Sequence, residues 1–425
     1  MASLTLAGIA YLLAIREFFA TPKLDRRVVV VGLILAAVWH IEFLRQPPGI
    51  DDDIHRYVWD GRLQRLGYNP YLVVPSDPAV KGLHTPETRN LNNPDLPTPY
   101  PPGAQLFFRA VTAVDESTFA LKAGFVVCEL AIVLLLLDLL RGKRGAHLVL
   151  VFAWNPLLAI EVAGSGHIDI VGALLLVTSA AALGRRWRAT AAVALGLSIA
   201  VKFLPVVLLP LYWKRVRVRD AALAVAAVAL LYVPYIDHGR VPIGSLGTYV
   251  QTFRFNGPVF AALDRVLPPQ LLAGLAVLVG LATAIWLRNT DPNESRRGTT
   301  TTEGPESRRR AAIAVPPSSV FSVGQASAFA WPMAATLLCA PVVFPWYLLW
   351  VLPFLMSTST LLIILWTVSI SATYIQWHLR ALGHPWGALP GWIMLLEYGS
   401  VATAAVIIAW RRIGRSAAGL NKPAE

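Results

Sequence analysis

The stretch VVVVGLILAAVWHIEFL at residues 28–44, followed after six residues by DDDIHRYVWDG at 51–61, decides the reading of this chain. The first run approaches the roughly 20 apolar residues that a membrane-crossing helix needs. The second opens with three consecutive carboxylates, Asp51, Asp52 and Asp53, where the chain leaves the bilayer. Charge at that boundary is costly unless solvated or partnered, so acids near the mouth of a helical bundle are functional candidates. Helix cap, general base and metal ligand are the roles open to them.

Composition extends the membrane reading to the whole chain. Of 425 residues, 56% are hydrophobic and only 15% charged, against about 25% charged in soluble domains. Apolar runs recur along almost the full length, so residues 1–425 read as one integral membrane domain. The net charge of +12 would suggest nucleic acid in a soluble protein, but here the cations cluster between apolar runs. That pattern fits anchoring against anionic lipid and implies no nucleic-acid partner. Cys128 and Cys339 both lie in apolar segments, so neither a disulfide framework nor a zinc site is implied. The N-terminus lacks a basic region and a small-residue cleavage site, so no removable signal peptide is expected.

The predicted fold class is all-α, a polytopic membrane helical bundle of about 11–13 spans. Candidate spans are 2–15, 28–44, 117–140, 147–163, 168–184, 189–201, 203–213, 220–235, 270–287, 318–339, 343–357, 360–377 and 392–410. The short ones are expected to be half-helices or re-entrant pieces buried in protein. Basic residues fall in every second loop: Arg26 and Arg27, Arg141 and Lys143, Arg185 and Arg188, Lys214 to Arg219, Arg288 to Arg310, and Arg411 to Arg415. The uncharged 357–360 connection is the exception. This alternation predicts that the basic loops face the cytoplasm and that residues 45–116 lie outside. Residues 289–311 read as a flexible cytoplasmic linker.

The loop at 45–116 is too rich in aromatic and apolar residues for a simple tether. Residues 53–66 predict a short amphipathic helix with Ile54, Tyr57, Val58 and Gly61 on one face and Arg56, Asp60, Arg62 and Arg65 on the other. Gly67 and Pro70 stop it. A proline-rich extended stretch at 92–103 precedes a second short helix starting near Gly103. Both helices are expected along the outer membrane surface, over the bundle mouth.

One aspartate is explained by capping, which is worth about 1 kcal/mol. Three adjacent like charges are not, because they repel. A carboxylate here can take the proton of an attacking hydroxyl, and a phosphate leaving group would call for nearby cations. Arg56 lies one helical turn beyond Asp52 and Asp53, a spacing that allows a local ion pair. Lys202 sits between the apolar runs 189–201 and 203–211, at a turn on the same side as the aspartates. Snorkelling to the lipid surface is its plain structural reading. Asn155, Glu161, His167 and Asp169 form another polar group on that side, with Gly164 and Gly166 permitting a tight turn. Trp346 and Tyr347 suit either interfacial anchoring or stacking on a sugar.

The segments DIHRYVWDGR at 53–62 and GYNPY at 67–71 resemble the first outer loop of bacterial GT-C glycosyltransferases, closest to glycosyltransferase family 87 and the polyprenol-phosphomannose-dependent mannosyltransferases. YPPG at 100–103, WNPL at 154–157, AGSGHID at 163–169, KFLP at 202–205 and PWYLLW at 345–350 extend the likeness over nearly the whole chain. The resemblance implies an inverting transferase that moves a hexose, mannose above others, from a polyprenyl-phosphate sugar donor to a lipid or glycan acceptor. It implies a multi-pass protein of the bacterial plasma membrane with its active site on the extracytoplasmic side. Asp53 best matches the catalytic base, with Asp52 next. Lys202 and Arg56 carry over as donor-phosphate contacts. Tyr57, Trp59, Asn155, His167, Asp169, Trp346 and Tyr347 are candidate substrate contacts. No cofactor is fixed; some members need a divalent metal, and the adjacent aspartates leave that open.

A polytopic lipid or solute transporter or flippase is the competing reading. It favours two matching halves and charges near mid-membrane. The sequence has no such internal symmetry, and Glu129 and Glu397 are the in-span acids it would need.

Overall fold

The computed structural model describes residues 2–49, 51–141, 145–290, 323–384, 387 and 389–420. The expected linker at 289–311 lies outside these residues from position 291 onward. The described residues form helices and turns and no multi-residue strand, only three isolated bridges. The protein is an all-α polytopic membrane protein.

In chain order the helices are α1 (Ala2–Ala20), α2 (Arg26–Arg45), α3 (Asp53–Arg65), α4 (Pro102–Val114), α5 (Thr118–Leu139), α6 (Val149–Ala153), α7 (Pro156–Leu158), α8 (Asp169–Gly184) and α9 (Arg188–Val201). There follow α10 (Leu209–Tyr212), α11 (Val218–Tyr232), α12 (Leu246–Thr252), α13 (Pro258–Leu263), α14 (Pro269–Asn289), α15 (Val323–Cys339), α16 (Leu361–Ser369), α17 (Ile375–Ala381) and α18 (Gly391–Leu420). Among the described residues seven helical stretches are long and apolar enough to cross a membrane: α1, α2, α5, Val218–Tyr235, α14, Thr358–Ala381 and Gly391–Arg411.

The shorter expected spans are broken or truncated, for readable reasons. Residues 147–163 form the pair Ala146–Ala153 and Pro156–Ser165, bent by 51°. Pro156 lacks an amide hydrogen and stops α6 from continuing, and the Asn155 side chain caps the new start by accepting from the Leu157 amide at 3.0 Å. The second arm widens into a π-helical turn at Ala159–Ser165, a rare local geometry that often marks functional sites. Pro205 and Pro210 divide 203–213 into a 3₁₀ turn and α10. Pro345 and Pro353 do the same to 343–357.

Helices α8 and α9 pack closely, as do α14 with α15 and α9 with α11. Small residues let them approach: a methyl group at Gly280 of α14 would fall 2.0 Å from Thr336 Oγ1 of α15. A methyl group at Gly172 would fall 1.9 Å from the Trp350 ring, so the indole fits only over a bare backbone. The core runs through α5, α6, α8 and the 346–356 segment, where Phe125, Phe152, Ile170, Trp350 and Phe354 are buried. Small residues at helix contacts are the expected device inside a bilayer, where apolar contact with lipid supplies little drive for association.

The 45–116 loop is a folded cap on this bundle. Helices α3 and α4 pack together, as the sequence indicates, but α3 is not the half-exposed surface helix expected. On its polar face Arg56 and Asp60 are buried, while Arg62 is half-buried and Arg65 is exposed. Asp60 is fully buried and accepts from Arg56 Nε at 3.1 Å, Thr98 Oγ1 at 2.6 Å and Gln105 Nε2 at 2.9 Å. Gln64 joins Gln105 and the Tyr235 hydroxyl in the same network. Removing one partner of a buried ion pair typically costs about 3–5 kcal/mol, because the other charge is stranded. Asp60→Ala is therefore expected to lower loop stability on that scale, read as a fall in the thermal midpoint of the detergent-solubilised protein. An exposed control such as Asp237→Ala, whose side chain is 48% exposed, should leave it unchanged.

Candidate functional site

A cavity of about 1010 Å³ opens under the cap. Its wall takes Asp51, Asp52, Asp53 and Arg56 from the start of α3, and Asn92 and Tyr100 from the proline-rich stretch. The far side adds Lys202, Tyr249, Arg254, Trp346, Tyr347 and Arg380. Segments distant in sequence thus meet at one end of the bundle. Among the described residues the basic connections contribute nothing to its wall: Arg185 bonds Asp138 at the end of α5, and His147 reaches the Phe18 carbonyl at the end of α1 at 2.8 Å.

The three aspartates have distinct surroundings. Asp51 Oδ1 accepts from the Asp53 amide at 2.8 Å, so Asp51 supplies the side-chain cap of α3. Asp52 occupies the N-cap position without a side-chain cap bond. Its carboxylate lies 3.9 Å from Arg380 Nη1. Asp53 is fixed by two donors: Asn92 Nδ2 to Oδ1 and the Tyr100 hydroxyl to Oδ2, the latter at 3.1 Å. Asp51 is half-buried. Burial first, then repulsion from Asp53 and Asp52, pushes its carboxyl well above the usual range. Burial followed by repulsion from Asp53 raises Asp52 as well, against the opposing pull of Arg380.

Lys202 terminates α9 and reaches into the cavity. Its ammonium donates to both oxygens of fully buried Asp169, at 2.8 and 3.0 Å, and stands 3.9 Å from the centre of the Tyr347 ring. Trp350 Nε1 also donates to Asp169, at 2.6 Å. Tyr347 shares a hydroxyl contact of 2.7 Å with Tyr249. Plain snorkelling does not describe this geometry, because the cation is held by a buried carboxylate and an aromatic face.

His167 stands behind Asp53. It is 1% exposed and stacks on Trp346 at 4.0 Å between ring centres. Its Nδ1 lies 4.0 Å from Asp53 Oδ2, and its Nε2 lies 3.1 Å from Glu161 Oε2. The Tyr374 hydroxyl bonds the other oxygen of Glu161. Gly166 makes this placement feasible: its φ is +83°, and a Cβ would come 2.6 Å from Ile54 and 3.0 Å from Lys122. Donor atoms of Asp51, Asp53 and His167 lie within 4.8 Å of one another, a set of the type that holds a metal ion.

Other expected site residues are placed elsewhere. Arg56 touches the cavity, but its guanidinium bonds Asp60 and the Asn93 and Leu96 carbonyls, and its local partner is Asp60 and not Asp52 or Asp53. Tyr57 is buried and stacks on Phe108 at 4.4 Å. Trp59 is buried in a separate cluster and stacks on His84 at 4.1 Å. Asn155 caps α7 and donates to Thr367 Oγ1 at 2.8 Å, away from the cavity. Among residues the sequence did not single out for the site, Asn92, Tyr100, Tyr249 and Arg380 all reach it. Tyr100 lies in the YPPG segment, whereas Asn92 and Arg380 carry no local signal.

No curated protein and no solved structure matched the chain. A family model described as alpha-(1->6)-mannopyranosyltransferase, N-terminal domain, matches residues 1–216. The match takes in the aspartate trio, the Glu161–Asp169 turn and Lys202, while the 346–347 wall lies beyond it. On a match over half its length, together with its polytopic all-α fold, the chain belongs to the alpha-(1->6)-mannopyranosyltransferase family and is a membrane-embedded mannosyl-transferring glycosyltransferase.

Proposed function

We propose that this protein is an inverting transferase that moves mannose from a polyprenyl-phosphate donor to a hydroxyl of a lipid or glycan acceptor, on the extracytoplasmic face of a bacterial plasma membrane. One observation carries the reading: the held carboxylate of Asp53 and the held ammonium of Lys202 face a single cavity of about 1010 Å³. That size is at the top of the roughly 300–1,000 Å³ range of small-ligand sites, in keeping with two substrates at once.

The acceptor oxygen attacks the anomeric carbon, and its proton passes to an Asp53 oxygen. The bond from that carbon to the phosphate oxygen breaks, and the polyprenyl phosphate leaves with the electron pair, opposite the Lys202 ammonium. Attack and departure on opposite faces of the sugar invert its configuration. The family description suggests a C6 acceptor hydroxyl and an α-(1→6) product. The sidedness rests on the separation of the cavity from the basic connections, which the positive-inside rule assigns to the cytoplasm.

Transport has little to draw on. Glu129 faces His40 at 2.9 Å, and Glu397 accepts from Asn256 and from Trp366 Nε1 at 2.6 Å, so both in-span acids are engaged within the bundle. The test is reconstitution into proteoliposomes supplied with radiolabelled mannose on either a polyprenyl phosphate or a nucleotide. Transfer from the lipid donor alone is expected. Transfer only from the nucleotide would overturn the donor assignment, and lipid movement without transfer would favour a flippase.

A further inference from the structure

We infer that Asp51, Asp53 and His167 form a binding site for one divalent cation of intermediate hardness, of which Mn²⁺ is the probe. One donor atom from each lies within 4.8 Å of the others. Metal bonds of about 2.1 Å place opposed donors about 4.2 Å apart and adjacent donors about 3.0 Å apart, so side-chain movements of about an ångström close the set.

The independent observation is His167. Its ring is 1% exposed, and Nδ1 has no hydrogen-bond partner while it faces Asp53 Oδ2 at 4.0 Å. A buried ring nitrogen left without a partner costs free energy unless something occupies that direction. The opposite nitrogen, Nε2, makes no hydrogen bond either, but a carboxylate stands beside it. Nε2 lies 3.1 Å from Glu161 Oε2, and Glu161 is itself held by the Tyr374 hydroxyl. A carboxylate beside one ring nitrogen, with the other nitrogen turned toward the ligand set, is the usual surrounding of a metal-ligating imidazole. Stacking on Trp346 fixes the ring plane. Asn92 and Tyr100 orient Asp53 in the same way.

The aspartates point to the same conclusion. Asp51 and Asp53 are neighbouring half-buried carboxylates, and of the cations around the cavity Arg56 is engaged with Asp60, Lys202 with Asp169, and Arg380 lies against Asp52. Two carboxylates and one imidazole match a hard-to-borderline divalent ion better than a soft one. Bound there, such an ion would supply Lewis-acid polarisation of an acceptor hydroxyl beside Asp53. The inference concerns the transfer site but stands on ligand geometry alone, so it is read by binding and not by turnover.

The experiment is Mn²⁺ titration of the purified full-length protein in lipid nanodiscs, following loss of the free-ion signal by electron paramagnetic resonance. One Mn²⁺ per chain is expected, with affinity at least tenfold weaker in Asp51→Asn and in His167→Ala. Glu161→Gln, which leaves all three ligands in place, should weaken binding by roughly 10–100-fold. Lys202→Gln should bind Mn²⁺ as wild type does while losing transfer, which separates failure of this inference from failure of the transferase reading. Thermal melts establish that each variant is folded. Absence of stoichiometric binding by the wild type up to about 1 mM Mn²⁺, the weak end of protein sites for divalent ions, overturns the site. So does binding undiminished in both Asp51→Asn and His167→Ala.

Discussion

Asp53→Asn is expected to cut mannosyl transfer by roughly 10²–10⁴-fold, the usual worth of a positioned general base, or about 3–5 kcal/mol of transition-state stabilisation. The variant keeps the shape of the side chain and an oxygen to accept from Tyr100, so the thermal midpoint should stay near that of the wild type. Asp52→Asn is expected to cost less than tenfold. The difference between the two lies in how each is held. Asp53 is gripped by Asn92 and Tyr100 and so keeps one direction in the cavity. Asp52 lies 3.9 Å from Arg380, whose side chain is 53% exposed, and surface ion pairs of that type contribute about 0–1 kcal/mol. Initial rates at saturating donor and acceptor, with wild-type and variant proteins at matched density in the membrane, decide it. Equal losses for Asp52→Asn and Asp53→Asn would show that the pair acts as a unit, and full activity in both and in the double variant would remove the base from this loop.

The spans and both helices of the first loop were legible in the sequence because they rest on local signals: apolar runs, a carboxylate-rich start, glycine and proline stops. The break within the expected span 147–163 and the short pieces at 203–213 and 343–357 follow from prolines at known positions. The site was legible only where charge is rare. Lys202 stands out against apolar neighbours and Asp53 belongs to an acid trio just past a span, and both reach the cavity. Aromatic and basic residues within α3 gave the opposite result. Tyr57, Trp59 and Arg56 share a motif with Asp53, yet a helix sends successive side chains 100° apart, so a shared motif does not mean a shared destination. Two pack into the cap, and the third ties the loop to Asp60. Asn92 and Arg380 went unmarked because their role depends on long-range packing: one lies 39 residues from Asp53 in the chain, and the other comes from a distant helix. His167 was marked for its glycine-flanked turn. Its relation to Glu161, six residues earlier, needs the π-helical turn between them, which sequence periodicity does not indicate.

Lys202→Gln is expected to lower kcat for transfer by roughly 10²–10³-fold, the cost of removing one group that stabilises charge developing in the transition state, with a much smaller change in donor KM. A structural reading predicts something else. Lys202 neutralises buried Asp169, and a variant that strands this carboxylate loses stability by about 3–5 kcal/mol. Activity then falls because the protein unfolds, whatever the phosphate requires. The charge-balanced double variant Lys202→Gln with Asp169→Asn separates the two. It removes the cation together with the carboxylate it neutralises, and Trp350 Nε1 keeps an oxygen to donate to. If Lys202 serves only Asp169, the double variant recovers both its melting temperature and its turnover. If the ammonium faces the leaving phosphate, the melting temperature recovers and turnover does not. Lys202→Arg adds a graded test: a guanidinium retains the charge and can rest on the Tyr347 ring, so turnover between those of the wild type and Lys202→Gln is expected. The carboxylate that takes the proton and the cation that receives the phosphate come from separate stretches of chain, and each fails in its own way when altered. Loss of turnover in the double variant at an unchanged melting temperature, beside Mn²⁺ binding like that of the wild type, would assign Lys202 to the leaving group and to neither the fold nor the metal.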